Sequence, residues 1–206
     1  MGNRLIILFL FFIVSCENNS LRNKETEDLV INDTSIIRVV EYIPDICLNE
    51  FTLMEKIESF GDEKLINDYL FCKSKNENEF LAMAANYGDI KNEYRLFRVF
   101  RKEQFKTYSE FRNINIETIY FKQLDDKNFI SESYIKLGLD KSDLIAKKGS
   151  DYLMEEIDGY MRITYKIIDY EKSDLLQKYS MPEYRSEYLF DKNNKLIQFN
   201  FGFIMP

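Results

Sequence analysis

The chain has 206 residues, a formal net charge of −7, three cysteines, and neither histidine nor tryptophan. Without histidine, the usual base of serine and cysteine hydrolases and the usual ligand of catalytic zinc are both missing, so any catalysis would fall to carboxylate, lysine or tyrosine chemistry. The acidic balance opposes binding to nucleic acid, and the residue patterns call for no cofactor and no metal.

The first element is an apolar run, Leu5 to Val14, preceded by Arg4 and followed by Ser15, Cys16 and a polar stretch that begins at Glu17. A transmembrane helix needs about 20 apolar residues, so a run this short behind a basic start reads as an export signal. Ile13-Val14-Ser15-Cys16 resembles the lipobox of bacterial lipoproteins. That resemblance implies a signal peptide over 1–15, removed on maturation, and a diacylglycerol on the thiol of Cys16. The lipid bilayer is then a partner through the acylated cysteine, because two or three acyl chains hold durably where one does not. Glu17 stands where an aspartate resembles an inner-membrane retention signal, which places the protein in the cell envelope at the outer membrane rather than the inner. Loss of 1–15 removes Arg4 and no acid, leaving the chain one charge more negative.

Residues 16–35 are the lipidated cysteine and a polar, tether-like stretch with a reach of roughly 25 Å. With Cys16 committed to lipid, Cys47 and Cys72 remain as an even pair in an exported chain, a disulfide candidate that would contribute roughly 3 to 4 kcal/mol; two buried thiols are the alternative. The folded part opens with Ile36-Ile37-Arg38-Val39-Val40, a predicted strand. A helix is predicted over 51–60, with Thr52 and Glu55 as capping box, Leu53, Ile57 and Phe60 on one face, and Gly61 as the left-handed stop. The piece from Asn76 to Gly88 reads as strand or short helix. Arg95, Arg98, Arg101 and Lys102 alternate with Leu96, Phe97, Val99 and Phe100, a strand or short helix with one solvated face.

A hairpin is predicted over Ile119 to Ile135, turning at Asp125-Asp126-Lys127-Asn128. Ser133 and Lys136 match a Ser-x-x-Lys pattern, but in a strand positions three apart face opposite sides. A second helix is predicted over 139–148, capped by Asp140, with Leu144 and Ile145 apolar, Lys147 and Lys148 at its C-terminus and Gly149 ending it. Glu155, Glu156 and Asp158 beside Gly159 read as a loop. Met161, Ile163, Tyr165 and Ile167 then alternate with polar residues, as do Ile197, Phe199, Phe201 and Phe203 in a hairpin from Tyr188 to Ile204 that turns at Asp191-Lys192-Asn193-Asn194. Neither acidic turn has the central glycine and terminal glutamate of a calcium loop.

These elements predict an α+β fold of short helices packed on antiparallel sheet, in two tandem helix-plus-three-strand units over 36–136 and 137–206. Short capped helices with a terminal glycine followed by antiparallel sheet resemble the β-lactamase-inhibitor-protein-like fold, which also occurs in outer-membrane-assembly lipoproteins of the SmpA/OmlA type. The chain departs from that pattern in lacking a proline soon after either glycine. The expected function is a membrane-tethered, non-catalytic module or scaffold that presents a sheet face to an envelope protein, with Tyr160, Tyr165, Tyr184 and Tyr188 as partner-binding candidates. The alternatives are an immunity-type lipoprotein that neutralises an exported toxin, and an envelope-directed hydrolase. The hydrolase would need two carboxylates facing each other across a cleft, one with its pKa raised by burial.

Overall fold

The structure, a computed structural model, describes residues 42–60, 65–86 and 92–205. The leader, Cys16, the tether, the predicted strand at Ile36 to Val40 and the predicted stop at Gly61 lie outside them. The fold is α+β and mostly sheet. A two-stranded ribbon, β1 (Cys47–Leu48) and β2 (Phe51–Thr52), precedes an eight-stranded sheet. The large sheet contains β3 (Tyr69–Lys73), β4 (Phe80–Ala85), β5 (Tyr94–Phe100), β6 (Lys122–Gln123), β7 (Leu153–Ile157), β8 (Tyr160–Ile167), β9 (Glu183–Phe190) and β10 (Leu196–Ile204). Helices α1 (Lys141–Lys148) and α2 (Asp174–Tyr179) lie between strands of the second half.

The strand order is β6-β3-β4-β5-β10-β9-β8-β7, antiparallel except where β6 joins β3. Each half supplies a meander whose last strand meets the other at the centre, β5 against β10. Gly202 lets those two backbones close up: its φ is +150°, and a Cβ there would lie 2.3 Å from the Arg95 carbonyl oxygen. The central strands are buried on both faces, which is why β10 is buried from Leu196 to Phe203 and not on one face only. The first face carries Leu70, Cys72, Met83, Phe97, Tyr188, Phe199 and Phe201, roofed by β1, β2, Leu144 of α1 and Leu176 of α2. Each large apolar side chain buried there contributes about 1.5–3 kcal/mol.

Among the described residues, the second face is covered over the β3 to β5 half. Tyr69, Phe71, Phe80, Ala82, Leu96 and Phe100 lie under Phe105, Tyr108, Phe111 and Ile119 of a segment of 3₁₀ turns. That segment covers Arg98, contrary to the solvated face expected there. Its guanidinium lies 4.5 Å from the Tyr108 ring centre and 2.7 Å from Glu110 Oε1.

The predicted helix over 51–60 is absent. Met54 takes φ +61° and donates its amide to the Tyr94 carbonyl at 2.9 Å, so pairing with the sheet replaces helical bonding, and only Glu58–Phe60 forms a 3₁₀ turn. The hairpin predicted from Ile119 to Ile135 is also absent: β6 is a two-residue parallel edge, and Ser131 bridges to Leu48. The piece after Asn76 is the end of a turn and then β4.

The second half follows the sequence more closely. α1 ends at Gly149 with φ 86° and ψ −179°, a region essentially restricted to glycine. Asp140 occupies the N-cap position without a capping hydrogen bond, because its carboxylate takes Lys195 Nζ at 2.8 Å. The turn at Asp191 forms as predicted, with Oδ1 accepting the amides of Asn193 and Lys195 at 2.8 and 2.9 Å. α2 was not read from the sequence; Ser173 caps it by accepting the Leu176 amide.

Candidate functional site

Lys148, the last residue of α1, is fully buried, and its side chain is bonded on three sides. Its Nζ lies 2.8 Å from Asp45 Oδ2 and donates to the Ile43 carbonyl at 2.6 Å and to Ser133 Oγ at 2.9 Å. Asp45 Oδ1 in turn accepts the Ser133 amide at 3.0 Å, and the Tyr184 hydroxyl donates to the Asp45 carbonyl. Burial pulls the Lys148 ammonium below its ordinary pKa, and the Asp45 carboxylate opposes that pull. The Ser-x-x-Lys pattern therefore resolves differently from its sequence spacing: Ser133 meets Lys148 and not Lys136. With its ammonium held by a carboxylate, Lys148 joins 42–45, the 131–135 turn and the end of α1.

The same cluster sets the entry to β7. The Tyr165 hydroxyl donates to the Gly149 carbonyl at 2.8 Å. Tyr42 stacks on Tyr165 with ring centres 4.6 Å apart, and Tyr152 meets the same ring edge-on at 5.7 Å. Tyr42 also shares a 2.8 Å hydrogen bond with Ser186 on β9.

Three of the four tyrosines predicted to face a partner are therefore core residues. Tyr165, Tyr184 and Tyr188 alternate onto the covered first face and are at most 1% exposed, and burial holds all three phenols well above their ordinary pKa. Tyr160 alone remains open, at 39%. The disulfide candidate is corrected as well: no bond joins Cys47 and Cys72. In a two-residue ribbon adjacent side chains point to opposite sides, so Leu48 and its partner Phe51 take the core while Cys47 turns away beside Thr52. Cys72 points into that core from β3.

What lies open is the outer half of the sheet. On the second face, around the buried Thr164 and Leu189, β7, β8 and β9 present Leu153, Glu155 and Ile157, then Tyr160, Arg162 and Lys166, then Glu183, Arg185 and Glu187. Leu153 is 58% exposed, and Arg185 bridges Glu183 at 2.6 Å and Glu187 at 3.9 Å. No residue of β8 or β9 joins the aromatic cluster that covers β3 to β5 on this side.

The sequence reading placed Glu155 and Glu156 in a loop, whereas they lie in β7. Asp158 (φ 52°) and Gly159 (φ 79°) form the two-residue turn into β8. Asp-Gly between apolar flanks is a strong hairpin signal, and it is the signal that would have found this edge.

Elsewhere, Asn49, Asp126, Lys127 and Ile130 line an open depression of about 600 Å³. Glu79 has its pKa raised by burial, but its carboxylate accepts the Phe129 amide at 2.8 Å inside the fold. Among the described residues no group of three Cys, Asp or Glu side chains is arranged to hold a metal. No protein-family model, no curated protein and no solved structure matches the chain.

Proposed function

We propose that the protein is a lipid-anchored bacterial envelope lipoprotein, held to the outer membrane through Cys16, whose α+β domain is a non-catalytic module that binds an envelope protein. The observation that carries this reading is the part of the second face, over β7, β8 and β9, that stays outside the cluster covering β3 to β5 among the described residues. Leu153, Ile157 and Tyr160 lie there along the outer margin, interspersed with Glu155 and Arg162, beside a mixed-charge ladder of Lys166, Glu183, Arg185 and Glu187. Exposed apolar and aromatic side chains set among charged ones suit a protein-recognition surface, and an exposed tyrosine adds contact area with few rotors.

The lipobox-like Ile13-Val14-Ser15-Cys16 supports the anchor. Immunity against an exported toxin is one form of the same binding activity. The test is co-purification from detergent-solubilised envelope with the acylated protein as bait. Tyr160→Ala with Lys166→Glu, which sets the new carboxylate opposite Arg185, should abolish recovery of the partner while leaving the thermal midpoint unchanged. Equal recovery with wild type and this double variant overturns the assignment of the face. Radiolabelled palmitate that still incorporates into Cys16→Ala overturns the anchor.

A further inference from the structure

A lysine ammonium carries three N–H groups, and on Lys148 two of them are spoken for. They donate to the Ile43 carbonyl at 2.6 Å and to Ser133 Oγ at 2.9 Å. The third is left for Asp45, whose Oδ2 lies 2.8 Å from Nζ. Yet Oδ2 has no hydrogen-bond partner among the described residues, so Nζ meets the carboxyl group at close range but off the hydrogen-bonding direction. Oδ1, by contrast, is held: it accepts the Ser133 amide at 3.0 Å. Both side chains are at most 1% exposed. Their surroundings are aromatic, with the Tyr42 ring centre 5.7 Å from Nζ and the Tyr184 hydroxyl donating to the Asp45 backbone carbonyl.

We propose that Lys148 Nζ and Asp45 Cγ join in an intramolecular isopeptide bond once the chain has folded. The step needs no co-reactant. Nζ gives a proton to Oδ2, and the freed lone pair attacks Cγ. Oδ1 takes the negative charge of the tetrahedral intermediate, at the place where the Ser133 amide already donates to it. A second proton passes from Nζ to Oδ2, directly or through Ser133 Oγ. The Cγ–Oδ2 bond then breaks with its electron pair on oxygen, and Oδ2 leaves as water. An ammonium and a carboxylate thus become one secondary amide and one water, with nothing oxidised or reduced. Oδ1 keeps the Ser133 amide as its donor, and the remaining N–H keeps the Ile43 carbonyl as its acceptor.

Three features of the site favour the reaction. Burial pulls the ammonium below its ordinary pKa, which lowers the cost of freeing the lone pair. The fold fixes both groups, one in 42–45 and one at the end of α1, so little freedom is lost at the moment of attack. A buried ion pair recovers its desolvation cost poorly, whereas an amide is neutral and finds its hydrogen bonds in place. Before the bond closes the pair is ionic, and the unlinked fraction carries the stability of an ion pair. Asp45 precedes every strand in the sequence, so the bond would fasten the start of the described chain to α1. The inference is independent of the open sheet face.

The test is peptide mass mapping of the full chain, purified in the folded state and digested with trypsin, which cuts after lysine and arginine. A linked Lys148 resists cleavage, so residues 39–56 and 148–162 should be recovered as one branched peptide whose mass is their sum less one water. Fragmentation should place the junction at Asp45 and Lys148. The branched fraction should grow with time in folded chain and stay at zero in chain kept in guanidinium. Lys148→Arg, which retains the charge but forms no such amide, should give 39–56 and 149–162 as separate peptides of full mass. Separate peptides from wild type after days of incubation in the folded state overturn the proposal. So does a loss of water confined to a single peptide, which means an internal succinimide, or a branched peptide containing 39–56 that forms in guanidinium or in Lys148→Arg.

Discussion

Replacing Lys148 with alanine removes one partner of an ion pair in which both side chains are at most 1% exposed. Asp45 would keep only the 3.0 Å hydrogen bond from the Ser133 amide, and the Ile43 carbonyl and Ser133 hydroxyl would lose their donor. Breaking a buried pair from one side costs about 3–5 kcal/mol, because the remaining charge stays desolvated without its counterion. Domains of this size are stable by about 5–15 kcal/mol, so Lys148→Ala should lose roughly a fifth or more of the total. With a urea m-value of about 2 kcal/mol per molar, the midpoint should fall by about 2 M. The paired change Asp45→Asn with Lys148→Met removes both charges, retains an acceptor for the Ser133 amide and refills the lysine stem. It should cost only about 1–2 kcal/mol. A Lys148→Ala loss below about 1 kcal/mol, or a double variant less stable than the single one, would refute the assignment of this pair as a buried, mutually dependent unit.

Gly202→Ala should destabilise by about 2 kcal/mol or more in the same urea assay, since its Cβ meets backbone of β5 and its φ disfavours side chains; an unchanged midpoint would contradict the close approach of β5 and β10. Burial raises the phenol pKa of Tyr42, Tyr108, Tyr165, Tyr184 and Tyr188, so the folded chain retains protons that the unfolded chain loses near pH 10. Stability should therefore be intact below about pH 10 and fall as pH rises beyond it, with tyrosinate absorbance from these rings appearing together with unfolding and not before. In native, unreduced protein, iodoacetamide should modify Cys47 readily and Cys72 only after unfolding; a mass deficit with no alkylation at either site would restore the disulfide.

Legibility in the sequence followed how local the determining forces are. The turn at Asp191 could be read because Asp191 bonds amides two and four residues ahead, and α1 because Leu144 and Gly149 sit at fixed offsets. The segment over 51–60 misled because Leu53, Ile57 and Phe60 are all buried, as a helix would have them, but by an irregular strand crossing that pairs Met54 with distant Tyr94. Alternation in β8 and β9 identified the set of side chains that share a face. It could not tell that α1, α2 and the 42–60 segment cover that face, so Tyr165, Tyr184 and Tyr188 were expected on the wrong side of the sheet. Asp45 and Lys148 are far apart in sequence, and nothing local to either announces the other. The edge at β7 was readable in principle from Asp158-Gly159, but the adjoining glutamates suggested a loop.

The most direct measurement is site-specific photo-crosslinking in intact cells, with a benzophenone amino acid placed at Tyr160, at Arg162 or, as a control, at Lys75 on the far hairpin. Crosslinks to one discrete protein from positions 160 and 162 and none from 75, on a chain that remains membrane-bound only while Cys16 is present, are the expected result. Equal crosslinking from all three positions, or none from 160 and 162, would contradict the assignment of the open sheet face as the binding surface of a tethered module.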